Sequence, residues 1–255
     1  MKKTKPALLS LVAAVALPLA APAANQDSRC YELRTYYANV GKLDALHARF
    51  RDHTVALFEK HGMTNVGYWV PLENEDDKLV YLMAYPSRQA RGKMWKAFFN
   101  DPEWTSAYKA STEKGKLVKK VDSVFLSATD YSMLSKPKKT DPERLFELRT
   151  YTTNPGKLDE LNARFRDHTV DLFTQHGIEN VGYWTPMDEK KGRDNKLVYL
   201  IAHKSVDGRQ ASFGAFSKDP KWQSARKASE ANGRLLVRKG VESLMMKPTD
   251  YSPMK

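Results

Sequence analysis

Glu32-Leu33-Arg34-Thr35-Tyr36 recurs unchanged as Glu147-Leu148-Arg149-Thr150-Tyr151. Around this pentapeptide, residues 31–71 align with 146–186 without a gap, and 29 of the 41 positions are identical. The alignment carries Arg49–Val55 onto Arg164–Val170, and Val66-Gly67-Tyr68-Trp69 onto Val181-Gly182-Tyr183-Trp184. Two copies are too few for a solenoid, which needs three or more stacked units. They fit two packed modules, or one body with internal pseudo-symmetry.

The first copy sets out the elements of one module. Residues 31–37 alternate as a strand does. Over 41–61, Leu43, Leu46, Phe50, Leu57 and Phe58 fall close to helical i, i+3, i+4, i+7 spacing, and Gly62 supplies a stop. Residues 66–70 read as a second strand ended by Pro71. The polar turn 73–77 leads to a third strand, 78–85, and a second helix follows over 87–99. Asp101-Pro102 starts another helix, because an acidic N-cap before a first-turn proline is a start signal. A last strand falls at 121–127. The order β-α-β-β-α-β is that of the split βαβ, ferredoxin-like unit. The second copy repeats it with three extra residues in the 188–195 turn and two more before its last strand. Both copies close with Thr-Asp-Tyr-Ser, at 129–132 and 249–252.

The expected organisation is therefore repeat 1 over 24–134, a linker over 135–143 containing Lys136-Pro137-Lys138-Lys139, and repeat 2 over 144–255. A sheet with helices on one face must find cover for the other. Two such sheets in one chain can cover each other, so the fold class is α+β: two ferredoxin-like repeats closed into one barrel with helices outside.

Residues 1–23 have the layout of a secretory signal peptide. Lys2, Lys3 and Lys5 precede an apolar run over 7–20, and Ala21-Pro22-Ala23 offers a small-residue cleavage site. The run is short for a bilayer span, and an uncleaved anchor is the alternative. Cleavage predicts an exported, periplasmic or secreted protein. No other segment approaches the roughly 18 uninterrupted apolar residues of a membrane helix. Losing three lysines takes the formal charge from +12 to +9. The basic residues are spread out and sit beside acids, and no nucleic-acid-binding pattern accompanies them. Cys30 is the single cysteine, so an intrachain disulfide is excluded.

The run Tyr31–Tyr36, the downstream Gly41-Lys42-Leu43-Asp44, the His61-Gly62 helix end and the strand Val66–Trp69 together resemble the NIPSNAP domain. The resemblance appears in both copies and covers nearly all of the expected mature chain. It implies a dimeric α+β barrel related to cofactor-free monooxygenases, haem-dependent chlorite dismutases and EthD-like proteins. It carries no established catalytic residue. Eukaryotic relatives are linked to mitochondria, vesicle traffic and mitophagy, a setting from which the leader sequence departs.

Alternation puts Glu32, Arg34 and Tyr36 on one face of the first strand and Leu33 on the other. If Leu33 faces the helices, Glu32, Arg34 and Tyr36 point into the barrel, as do Glu147, Arg149 and Tyr151. Charges there must pair or line a wet cavity. Either they form ion pairs that fix the register between the halves, or they line a ligand pocket with Trp69 and Trp184 in which an arginine holds a carboxylate. His53 and His168, three residues after Phe50 and Phe165, fall on the core-facing helical stripe. They read as packed core residues or as catalytic groups or haem ligands. His61 and His176 complement a helix C-terminus, and Trp104 and Trp222 read as helix anchors against the sheet. No metal motif, nucleophile elbow or phosphate loop is present.

These residues predict a module that binds a small apolar or anionic ligand in the barrel interior. The alternatives are a cofactor-independent oxygenase or isomerase using Tyr36/Tyr151 and His53/His168, and a haem protein with a histidine ligand. No other cofactor is expected, and homo-oligomerisation through outer faces is compatible with the fold. The copies diverge after residue 79: Tyr85 is replaced by His203 and Trp95 by Phe213.

Overall fold

The computed structural model describes residues 27–134 and 138–255; the expected leader lies outside them. The first repeat contains β1 (Cys30–Ala38), β2 (Thr64–Pro71), β3 (Lys78–Tyr85) and β4 (Val118–Ala128). Its helices are α1 (Leu43–Arg49), α2 (Val55–Lys60), α3 (Arg88–Phe99) and α4 (Pro102–Thr112). The second contains β5 (Leu145–Thr153), β6 (Glu179–Pro186), β7 (Lys196–His203) and β8 (Leu236–Pro248), with α5 (Leu158–Arg164), α6 (Val170–Gln175), α7 (Val206–Lys218) and α8 (Pro220–Ser229). The helix expected over 41–61 is two α segments joined by a π turn, Phe50–Thr54, and the second copy repeats this at Phe165–Thr169. Asp101 and Asp219 cap α4 and α8 as expected, each with proline in the first turn.

The eight strands close into a barrel in the order β1-β3-β2-β8-β5-β7-β6-β4, all neighbours antiparallel. Each repeat contributes four contiguous strands. The seams join β4 to β6 and β8 to β2, so the last strand of each repeat pairs with the other. The Thr-Asp-Tyr-Ser endings form the clasp at these seams. Thr129 N donates to Tyr183 O (3.0 Å), and Ser132 Oγ accepts from Tyr183 N (2.8 Å). Asp130 pairs with Arg166, and the Tyr131 hydroxyl donates to Asn162. Thr249, Asp250, Tyr251 and Ser252 return the same set to Tyr68, Arg51 and His47.

Inside the barrel the structure reverses the face assignment made above. Leu33 and Leu148 point inward, packed with Trp69, Trp184, Val80, Val198 and Met246. The void left among them is about 10 Å³, no more than the space one water needs, and its walls are apolar. The barrel interior is thus filled by its own side chains and has no room for a ligand. Glu32, Arg34 and Tyr36 lie on the outer face under the helices. The physical reason is the pair of tryptophans. A bulge between Asn65 and Gly67 puts Val66, Gly67 and Trp69 on the inner side, and the indole packs directly against Gly67. Any Cβ on Gly67 would overlap that ring, and Gly182 stands in the same relation to Trp184. Large indoles filling the interior leave no place there for arginines.

Overpacking of a filled core costs about 1–3 kcal/mol, which in a protein of this size lowers Tm by roughly 2–4 °C per kcal/mol. Gly67→Ala and Gly182→Ala are therefore expected to lower Tm by several degrees each. In a double-mutant cycle, Trp69→Phe should recover part of the Gly67→Ala loss. Strict additivity in thermal unfolding would refute the contact.

Candidate functional site: the crevices between sheet and helices

Glu32 is fully buried between β1 and α3. It accepts from Arg91 Nε (2.9 Å) and Nη2 (2.8 Å), Ser123 Oγ (2.6 Å) and the Tyr85 hydroxyl (3.0 Å), and it pairs with Arg34. Arg34 Nε in turn donates to the Tyr81 hydroxyl at 2.8 Å. Glu147 has the same setting, with Arg209 at 2.6 and 2.7 Å, Ser243 at 2.6 Å, His203 at 3.0 Å, and Arg149. Burial pushes the Glu32 carboxyl upward, but Arg91, Arg34 and Ser123 outweigh it and hold the group below the usual range. Glu147 is held well below it by Arg209, His203 and Arg149, again against burial. These clusters bolt α3 and α7 to the sheet. They lie within each half, not between the halves as the register reading expected.

Beside the second cluster, a crevice of about 550 Å³ opens between the outer sheet face and α5–α8. Its walls are aromatic: Tyr151, Phe165, Phe173, Phe213, Phe216 and Trp222. Its polar lining is mostly cationic: Arg149, Arg164, Arg226, Arg234, Arg238 and Lys239, against Glu230. Two local devices shape it. The π turn directs Arg164, Phe165 and Thr169 to the wall together, and Thr169 Oγ1 donates to the released Arg164 carbonyl at 3.1 Å. The two-residue insertion forms a wide bulge in β8, where residues 237–240 face Thr152 alone. Lys239 adopts φ +58° there, and a Cβ at Gly240 would stand 2.6 Å from the Thr152 carbonyl oxygen. The bulge carries Arg238 and Lys239 to the mouth.

Arg164 is 5% exposed. Its Nη1 reaches Ser229 Oγ (3.2 Å) and Glu230 Oε1 (3.4 Å), and its guanidinium lies 5.2 Å from the Trp222 ring centre. Its Nε is buried and has no hydrogen-bond partner among the described residues. Burial draws its pKa below the usual arginine value, and Glu230 offsets that only in part. In the first half the equivalent space shrinks to about 160 Å³, with Trp95, Phe99 and Tyr108 where Phe213, Ser217 and Arg226 stand in the second.

The residues expected to form one pocket are therefore divided. Tyr151 and Arg149 line the large crevice, and Tyr36 lines the small one. Glu32, Arg34 and Glu147 lie behind the walls, and Trp69 and Trp184 are on the far side of the sheet. His53 and His168 are exposed. The π turn adds a residue to the repeat, so Thr54 and Thr169 take the buried position that simple helical spacing gave to the histidines. His168 borders a shallow outer hollow between α5 and α8. Trp104 and Trp222 pack on Phe98 and Phe216 and beneath the buried arginines, and so anchor helix to helix. Arg49 and Arg164 were missed; the signal was an arginine between Leu46 and Phe50 on an apolar stripe, repeated between Leu161 and Phe165. Among the described residues no group of histidines, cysteines and carboxylates could hold a metal, and no helix is long and apolar enough to cross a membrane.

An eight-stranded barrel of two α+β halves, helices outside and interior filled, defines the dimeric α+β barrel class, here closed within one chain. The NIPSNAP family model matches residues 31–133 and again 146–253, and the chain belongs to the NIPSNAP family. A NipSnap homolog of Dictyostelium discoideum is 24% identical over 208 residues, covering 80% of this chain and 83% of its own. A candidate monooxygenase from Fusobacterium nucleatum superposes with a TM-score of 0.59 at 10% identity, over 87% of this chain and 92% of its own. An anthrone oxidase-like protein gives 0.55 at 9% identity, over 88% and 92%. At these identities the structural likeness defines the fold.

A carboxyl whose folded pKa is depressed stabilises the fold fully above its unfolded value of about 4.3, and that stability is lost as pH falls through the folded value. The wild type should therefore lose stability from about pH 5 downward. Glu147→Gln should be less stable at pH 7, by about 3–5 kcal/mol for a broken buried pair, and its urea midpoint should fall less between pH 5 and 3. A variant with the wild-type acid slope would remove Glu147 from the acid response.

Proposed function

We infer that the protein binds a small, largely apolar molecule carrying an anionic group, in the crevice between the sheet and helices of the second half. The observation that carries this reading is Arg164, buried in an aromatic wall with its Nε unpartnered among the described residues. A desolvated guanidinium with an unused donor gains most from a carboxylate, and the apolar walls would take the rest of the molecule. Arg238 and Lys239 at the mouth would draw an anion in. Relative to the expected barrel-interior site, the ligand class is kept and the location moves to the other face of the sheet.

A second reading gives the same crevice a cofactor-independent oxidation. It is supported by the barrel neighbours described as a candidate monooxygenase and as anthrone oxidase-like, and by the Tyr151 hydroxyl, which accepts from Arg149 at 3.2 Å inside the crevice. His53 and His168 take no part in it, being exposed. A histidine-ligated haem does not fit, because no histidine lines this crevice. The composition of residues 1–23 supports an exported protein in either reading, with cleavage after Ala23 or Ala24 observable by mass spectrometry.

Calorimetric titration with octanoate, octanol and octylamine tests the binding reading. Octanoate should bind best, and Arg164→Gln should weaken it at least tenfold while leaving octanol unchanged, as expected for a charged hydrogen bond of about 1.5–3 kcal/mol. Equal affinity for octanoate and octanol would refute the anion site. Oxygen uptake with polycyclic phenols present tests the second reading, and Tyr151→Phe should abolish any uptake seen.

A further inference from the structure

The first-half crevice is separate from the one just described, and its electrostatics are more extreme. Arg49 is 5% exposed, like Arg164, and its Nε is buried without a hydrogen-bond partner among the described residues. The one hydrogen bond of its side chain among the described residues is from Nη1 to Ser111 Oγ at 3.3 Å. Thr112 stands where the second half has Glu230, and no carboxylate among the described residues pairs with Arg49. The guanidinium lies 5.3 Å from the Trp104 ring centre and 5.4 Å from that of Tyr108. Such contacts recover only part of what desolvating an ion costs. The balance favours an anion from outside.

The space offered is small and ring-shaped in its demands. About 160 Å³ lies among Phe50, Phe58, Phe98, Trp104 and Arg49, close to the roughly 150 Å³ of an engineered apolar cavity that takes up benzene. Its lip is apolar and open: Phe99 is 54%, Tyr108 44% and Val121 43% exposed. Arg49 is the one charged residue in the lining. We propose that the first-half crevice is a second, non-equivalent binding site, which takes a single-ring aromatic carboxylate with its carboxylate on Arg49 and its ring among the surrounding aromatic side chains. The two halves thus sort anions by size: one ring in the first, a longer or larger apolar body in the second.

Calorimetry with benzoate, benzyl alcohol and octanoate distinguishes the two sites. Benzoate should bind the wild type and Arg164→Gln alike, bind Arg49→Gln at least tenfold more weakly, and outbind benzyl alcohol. Benzoate that fails to bind, that binds Arg49→Gln as well as the wild type, or that is lost in Arg164→Gln instead would overturn the proposal. Octanoate failing on the wild type while benzoate binds would overturn the second-half reading alone. Should Arg49→Gln not fold, the double variant Phe99→Ser, Tyr108→Ser still decides, since both positions are exposed. It removes two ring walls of the crevice without adding charge and should raise benzoate's Kd at least fivefold by loosening the fit around the ring. An unchanged Kd would place benzoate elsewhere.

Discussion

The rest of this structure depends on an indole packed directly against a glycine, twice. Trp69 over Gly67 and Trp184 over Gly182 fill a barrel whose strands come equally from two repeats. Each fully buried large side chain contributes about 1.5–3 kcal/mol, and here the two largest are spent on one shared interior. Neither repeat could bury its tryptophan alone, since the inner face of its four-stranded sheet would meet water. The halves are therefore held by the core itself, and the Thr-Asp-Tyr-Ser clasps fix their register at the rim through backbone donors and acceptors that an open seam would leave unpaired.

From that packing the outer layer follows. Once Leu33 and Leu148 face inward, alternation forces Glu32, Arg34 and Tyr36 beneath the helices, where water is scarce. A buried carboxylate survives only when cations and hydroxyls surround it, which explains why Glu32 and Glu147 each gather two arginines and a serine. These clusters occupy the outer sheet face and hold α3 and α7 off it at a set distance. The crevices are the space left beside them, roofed by the second helix of each pair.

The fold was legible in the sequence because repetition and period report on it directly. The gapless match of 31–71 with 146–186 fixed two equal units, and the alternation in 31–37 and 78–85 fixed their strands. Which face of β1 points inward was not legible from alternation alone, since both of its faces carry residues that can be buried. Gly67 and Trp69 held the answer: an invariantly spaced Gly-Tyr-Trp in a bulged strand needs the glycine's missing side chain on the indole's own side. The histidine assignment failed for a different reason. A π turn adds one residue to the helical repeat, and nothing in Phe50–Thr54 signals it except a threonine able to bond back to the carbonyl the turn releases.

The uneven likeness of the two copies now has a physical division. Positions that stay the same include the interior tryptophans with their glycines, the clasp partners Arg51 and Arg166, and the buried arginines with their π turns. Positions that differ exchange one hydrophobic side chain for another in the interior, as at Tyr31/Phe146 and Leu126/Met246, but change size and charge beside the crevices. Trp95, Phe99, Tyr108 and Thr112 give way to Phe213, Ser217, Arg226 and Glu230, and the β8 bulge has no counterpart of its length in β4. A packed barrel constrains residues on both sides of the pseudo-dyad at once, because a change in either half is felt by the other's tryptophan. The crevice linings carry no such coupling, since each is drawn from its own half. Each crevice can change its volume and charge while the barrel beneath it stays fixed, so one duplicated frame can hold two different sites.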